Sequence, residues 1–219
     1  LTVYAERTPS IATRLLQAGE PDAIIATAAA LQSGRLVVVP TDTVYGVAAD
    51  AHNQDAILQL YAVKQRPLSK AIPILLADPE RLDDVAREVP PEARALMARF
   101  WPGPLTLVVP KRPDLPPALS PDANVAVRIP DCAVARAVIR AAGGAVAATS
   151  ANRSGEPPAQ TAAAALAALG GQVVIVLDGG PAPRGLASTV IDCTGAALRI
   201  LRAGPLTRDD LAANGIEIL

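Results

Sequence analysis

Aromatic side chains are nearly missing from this 219-residue chain, where one Trp, three Tyr and one Phe make up 2% of the residues. A core must then be assembled from Ala, Val, Leu and Ile, and recognition of nucleic acid by stacking bases on exposed rings is disfavoured. Histidine is scarcer still: His52 is the only one, which leaves almost no room for Ser-His-Asp or Cys-His catalysis or for a His-rich metal site. Cys132 and Cys193 have the spacing of neither a metal knuckle nor a disulfide framework, and read as small buried hydrophobes. No apolar stretch runs on for the ~20 residues that a bilayer span needs, and no signal-type segment opens the chain. A cytoplasmic protein is the simplest expectation, and the initial Leu1 implies that a start Met is missing. An excess of charge is absent as well. The net charge of −1 argues against broad attraction to a phosphate backbone, so any basic surface must be local.

What is present is apolar and alternating. At 51% hydrophobic the chain can bury a sizeable core as one large domain or two small ones. Helix signals cover Pro21-Asp22 to about Gln32, Asp55 to Val63, Pro91-Glu92 to Phe100, Ala133 to Ala142 and, behind a Thr161 N-cap, the Ala-rich run to Leu169. Asp78-Pro79 reads as a further N-cap with Pro at the first helical position. Thr207-x-x-Asp210 resembles a capping box opening a short terminal helix. Between these lie strand-like runs at Leu36 to Val39, Val44 to Ala48, Ile72 to Leu76, Leu105 to Val109, Val125 to Ile129, Ala145 to Ala148, Val173 to Leu177, Thr189 to Asp192 and Leu198 to Leu201. With no repeat and no composition shift, residues 1–219 are expected to form a single α/β domain, an open, twisted, mixed sheet with flanking helices.

Two distant segments carry the chemistry. Lys64-Gln65-Arg66-Pro67 offers an ammonium and a planar guanidinium, and Ser150-Ala151-Asn152 offers uncharged hydrogen-bonding groups, a combination suited to a polyanion such as phosphate. Neither a P-loop nor a G-x-G-x-x-G fingerprint is present to supply another phosphate cradle. A penicillin-binding site, which the S-x-N element alone could suggest, lacks its Ser-x-x-Lys nucleophile. Residues two apart on a helix point apart, so Lys64 and Arg66 are expected just past the helix, in extended chain before Pro67, with both facing one groove. Ser150 and Asn152 follow the end of a strand, where ligands of open α/β sheets gather. Taken singly, Ser150 and Asn152 read as turn formers, Thr41 as a strand-end turn hydroxyl and Arg202 as a surface charge.

The order of motifs is more specific than any one of them. Pro40-Thr41-Asp42-Thr43-Val44-Tyr45-Gly46, Lys64-x-Arg66-Pro67, Trp101-Pro102-Gly103-Pro104-Leu105-Thr106, Val125-Ala126-Val127-Arg128-Ile129-Pro130, Ser150-Ala151-Asn152-x-Ser154-Gly155, Ser188-Thr189-Val190-Ile191-Asp192 and Ile200-Leu201-Arg202-x-Gly204 together resemble the YrdC-type threonylcarbamoyl-AMP synthase family. The resemblance runs from about residue 36 to 204. It implies a concave, basic groove and the reaction of L-threonine, bicarbonate and ATP to threonylcarbamoyl-AMP and pyrophosphate, which feeds a tRNA modification completed by a downstream threonylcarbamoyl transferase complex.

Position by position, the resemblance implies that Thr41, Arg128 and Ser188, with backbone near Ala148, hold L-threonine, Arg128 facing its carboxylate. It implies that Lys64, Ser150 and Arg202, with backbone near Leu68, Asn124 and Pro158, meet the nucleotide. Lys64, Arg66, Ser150 and Asn152 are the expected catalytic set. No resident metal is expected, Mg²⁺ arriving on ATP. Departures from the family pattern fall at Ala71, Leu75, Cys132 and Ala187, in or near the threonine end. The chain stops soon after the Arg202 motif, as in single-domain relatives. Two rival readings are an RNA- or tRNA-binding module without catalysis, which strongly salt-dependent RNA binding would reveal, and the carbamoyl-adenylate-forming part of a carbamoyltransferase system, which needs a second catalytic unit.

Overall fold

The computed structural model describes residues 11–218. Strands β1 (Arg14–Gln17), β2 (Val37–Val39), β3 (Gly46–Asp50), β4 (Ile74–Leu76), β5 (Leu105–Pro110), β6 (Asn124–Arg128), β7 (Ala145–Ser150), β8 (Ile175–Asp178), β9 (Thr189–Asp192) and β10 (Arg199–Arg202) join one ten-stranded sheet. Their order is β1-β8-β2-β3-β7-β4-β6-β5-β9-β10. Pairs β1·β8, β2·β8, β4·β6 and β5·β9 are parallel and the other five are antiparallel, so the sheet is mixed, with β1 and β10 at its open edges.

Both faces of the central strands are covered. Val38, Val47, Ile74, Leu76, Ala147 and Val176 point into the larger core, which takes in residues of helices α2 (Gln54–Lys64), α3 (Pro91–Phe100), α5 (Ala162–Leu169) and α6 (Arg208–Ala212). Their neighbours Val37, Val39, Ala48, Leu75, Val146 and Ala148 point the opposite way, into a smaller core under α1 (Ala23–Gln32) and α4 (Ala133–Ala141). This alternation is the two-residue period of a strand buried on both sides. The second face is only half roofed by helix, and the rest of it is where a ligand can lie.

Two capping signals, at Thr161 and Thr207, translate directly, and Asn53 adds a cap that the sequence reading does not mark. Asn53 accepts from Ala56 N (3.0 Å) to start α2, Thr161 accepts from Ala164 N (3.1 Å) to start α5, and Thr207 with Asp210 forms a full capping box at α6. Asp78 behaves differently. It caps nothing, because its carboxylate pairs with Arg140, and the segment Pro79–Asp84 is a 3₁₀ turn where an α-helix was expected. Strand β1 has no signal in the sequence, since only Leu16 of its four residues is buried and the pairing to β8 is made by backbone. Helix α2 runs one residue further than its apolar pattern suggests. It ends on Lys64, with Gln65 in the left-handed region at φ 51°.

Candidate functional site

Small side chains open the unroofed half of the sheet. Gly46 at the start of β3, Ala126 on β6 and Ala148 on β7 leave a cleft of about 300 Å³, at the low end of the range for small-molecule sites. Three guanidiniums, those of Arg66, Arg128 and Arg202, line it together with the hydroxyl residues Thr41, Thr43, Thr106, Thr149, Ser150 and Ser188. Among the described residues no carboxylate lines it. Burial holds Arg66 and Arg202 below the usual arginine range, and for Arg202 the nearby Arg66 adds to the effect. Positive charge held out of water and against its like favours any anion that enters.

Arg128 closes β6 and is buried. Its Nε donates to Gly103 O (2.9 Å), one terminal nitrogen donates to Thr43 Oγ1 (2.8 Å), and the other pairs with Asp42. A buried arginine needs a partner anion, and the sequence reading assigns that part to a substrate carboxylate. The fold already supplies it through Asp42, which also accepts from Asp131 N (3.1 Å). Two of the five N–H groups of Arg128 stay free of these bonds, so the residue can still face a ligand while its fork is fixed from below. Burial pulls its pKa down, opposed by Asp42 and reinforced by Arg202 and Arg184.

Lys64 is the main departure from expectation. It is not in extended chain and does not line the cleft; it is the buried last residue of α2. Its ammonium donates to Ser150 O, to Asn152 O (2.5 Å) and, at 3.4 Å, to Asn152 Oδ1. In return Ser154 N donates to Lys64 O (3.0 Å). The two segments therefore clasp each other, and only Arg66 and Ser150 from them reach the pocket. Lys64 points inward because it is still helical, one turn after Leu60 on the buried face of α2, whereas the left-handed turn at Gln65 ends the helix and lets Arg66 leave that face. Burial, with Arg66 acting in the same direction and Glu156 against, lowers Lys64 to about 8. Asn152 also turns inward, its amide donating to Arg153 O (2.8 Å) and Glu156 O (2.6 Å), which shapes the 150–156 loop.

The remaining expected residues divide. Thr41, Ala148, Ser188, Pro158 and Arg202 all line the cleft. Thr41 Oγ1 donates to Val44 O (2.6 Å) and accepts from Val44 N (3.3 Å), so its turn role and its site position coexist. Ser188 Oγ lies 2.7 Å from Thr106 Oγ1, and Arg202 donates to Ser188 O from both Nε (3.1 Å) and a terminal nitrogen (2.8 Å). Leu68 stands exposed on the loop after Arg66, outside the lining, and Asn124 lies on the Ala126–Arg128 face of β6 but beyond the cleft. Ala71, Leu75 and Ala187, the departures from the family pattern, all line the cleft, whereas Cys132 does not. Asp42 and Thr106 fall inside two of the motifs but have no role assigned from the sequence, although a carboxylate inside the apolar stretch around residues 36–49 is a signal that marks Asp42. A larger cavity of about 1120 Å³ lies between α3, the 196–198 turn and residues 208–218, and gathers none of the motif residues.

Comparison with known proteins accords with this geometry. The Sua5/YciO/YrdC family, described as telomere recombination, matches residues 29–204. The chain is 40% identical over 195 residues to the threonylcarbamoyl-AMP synthase of Bacillus subtilis, covering 87% of this chain and 56% of that protein. It is 39% identical over 191 residues to a putative threonylcarbamoyl-AMP synthase of Mycobacterium tuberculosis, covering 86% and 87%. It superposes on the crystal structure of P. abyssi Sua5 complexed with L-threonine with a TM-score of 0.89 at 36% identity, covering 94% of this chain and 63% of that one. The chain thus spans a little over half of the Bacillus protein and most of the mycobacterial one. By sequence, by fold and by the order of its motifs along the sheet, the chain belongs to the Sua5/YciO/YrdC family.

Proposed function

We propose that this chain forms L-threonylcarbamoyl-AMP and pyrophosphate from L-threonine, bicarbonate and ATP. The observation that carries the reading is the cleft with three guanidiniums and no lining carboxylate among the described residues. In the reaction, threonine's amino group and bicarbonate give a carbamate and a molecule of water, and the carbamate oxygen then forms a bond to the α-phosphorus while the bond from that phosphorus to pyrophosphate breaks. The attacking oxygen is already anionic, so the protein has to orient two anions and offset charge on the phosphoryl oxygens, which is work for fixed cations and needs no histidine. Names and a threonine complex among relatives 36–40% identical support the substrate assignment.

The cleft divides along its length in this reading. Thr41, Arg128, Ala148 and Ser188 hold threonine, and Arg66, Ser150, Pro158 and Arg202 meet the nucleotide. Lys64 and Asn152 act by fixing the segment that presents Ser150. The described residues hold no group of three or more His, Cys, Asp or Glu placed to ligate a metal, and Mg²⁺ is proposed to come with the ATP phosphates. The proposed setting is the cytoplasm, with a separate transferase complex taking the mixed anhydride and weak tRNA contact as a further partner. Among the described residues no helix is long and apolar enough to cross a membrane.

Arg128→Lys keeps the charge but cannot reproduce the bonds to Gly103, Thr43 and Asp42 together. It is expected to raise the KM for L-threonine about tenfold with little change in the KM for ATP, and Arg202→Ala to raise the KM for ATP most and, because Arg202 also holds Ser188, the KM for L-threonine to a smaller extent. Initial rates with each substrate varied in turn check this, and parallel changes in both constants would show that the cleft is not divided as described. The function itself is tested by pyrophosphate release, which should require ATP, L-threonine, bicarbonate and a divalent cation together. Release that persists without threonine would refute it.

A further inference from the structure

Asp42 carries an unanswered oxygen. Its Oδ1 takes Arg128 and the Asp131 amide, while Oδ2 is buried with no hydrogen-bond partner. A bare carboxylate oxygen out of water is unfavourable, so a nearby cation is drawn to it. That cation is Arg184, with Nε 3.9 Å from Oδ2, within ion-pair range but longer than a hydrogen bond, on a side chain otherwise 45% exposed.

Arg184 lies in the loop 179–188 between β8 and β9. The start of the loop is pinned by the buried ring of Tyr45, whose hydroxyl donates to Gly180 O (2.5 Å) and accepts from Gly179 N (3.3 Å). Its end carries Ala187 and Ser188 into the cleft. Between these, Gly180 at φ 84° and Gly185 at φ 65° bracket the Arg184 segment, conformations that glycine adopts without strain. Across its middle the loop is held by Ala182, which is buried in the larger core with its N donating to Gln160 O (2.8 Å), and beyond it by the Arg184–Asp42 pair.

We propose that Arg184 is a positioning residue: by pairing with Asp42 it bridges the 179–188 loop to the Thr41–Thr43 corner and so sets Ala187 at the amino-acid end of the cleft, next to Ser188, which Thr106 and Arg202 hold from the other side. Arg128 and Arg184 then share one carboxylate, one from the pocket side and one from the loop side. The inference rests on the reading of that end as the threonine site, and Arg184 itself touches no substrate.

Two measurements on the purified chain test it: hydrogen exchange of residues 180–188, which needs no substrate, and the KM for L-threonine. Arg184→Ala is expected to speed exchange in the loop and raise the threonine KM about 5–10-fold, consistent with the loss of a partly buried ion pair, while the KM for ATP and kcat change less than about twofold. Arg184→Glu should be worse in both readouts because it sets like charge against Asp42, and Arg184→Lys should recover most of the loss. Loop exchange in Arg184→Ala and Arg184→Glu that matches the parent chain would overturn the proposal, as would an unchanged threonine KM in an active enzyme. If the parent chain releases no pyrophosphate with threonine, the functional reading fails by itself, and the exchange comparison still decides whether Arg184 holds the loop.

Discussion

Arg66→Ala is expected to slow pyrophosphate release by about 10²-fold or more, the usual consequence of deleting one preorganised donor at a centre where charge develops. Arg66 reaches the cleft while its Nε and one terminal nitrogen are held by Lys70 O (3.0 Å) and Ala71 O (2.8 Å). These contacts aim the guanidinium and leave donors free for phosphate. They lie on a surface loop, so thermal unfolding should shift little. Arg66→Lys should recover only part of the rate, because the ammonium lacks the fork that both grips the loop and faces the cleft. Steady-state rates and melting curves on the same preparations check both halves, and a variant with near-normal turnover would remove Arg66 from the reacting centre.

Lys64→Met should act through the fold. Deleting the ammonium leaves Ser150 O, Asn152 O and Asn152 Oδ1 without the donor that ties them to α2. The expected loss is about 2–4 kcal/mol of unfolding free energy, with turnover falling because Ser150 is no longer held. The sequence alone suggests an intact fold for such a variant; the burial of Lys64 changes that expectation. The pH dependence adds a sign. Lys64 at about 8 in the folded chain lies below its ordinary value of 10.5, so between these values the unfolded chain holds the extra proton and folding gains as pH rises. The stability gap between the parent chain and Lys64→Met should therefore widen from about pH 8 towards 10. Tyr45 and Cys193, which burial pushes up to about 12, are common to both proteins and cancel.

Much of the architecture was legible because local chemistry decides it. Pro91 at a helix start, Thr161 as N-cap and the Thr207/Asp210 box each fix a boundary from a few adjacent residues. Alternation in β6 and β7 likewise separates Ala126, Arg128, Ala148 and Ser150 from the core-facing Val125, Val127 and Ala147. What was not legible depends on distant pairings. β1 forms only because β8 offers an edge, and its exposed Arg14, Leu15 and Gln17 carry no apolar period. The K-x-R and S-x-N segments were read as one site from their chemistry, and they do meet. Lys64 points at protein carbonyls because α2 runs on to include it, one turn after Leu60 on the buried face; where that helix ends is set by the left-handed turn at Gln65, which no local propensity of glutamine announces. Arg128 was likewise seen to need an anion, but which anion could be told only from the corner that brings Asp42 against it.

The proposed function requires that one cleft join threonine, bicarbonate and the AMP moiety of ATP. Its most direct test is to incubate the chain with ATP, L-threonine and ¹³C-bicarbonate and to follow the products at short times by mass spectrometry. Threonylcarbamoyl-AMP bearing a single ¹³C is the expected product, formed in step with pyrophosphate and absent when threonine is omitted. Pyrophosphate or AMP released with no labelled adenylate, or an adenylate of threonine lacking the bicarbonate carbon, would contradict it.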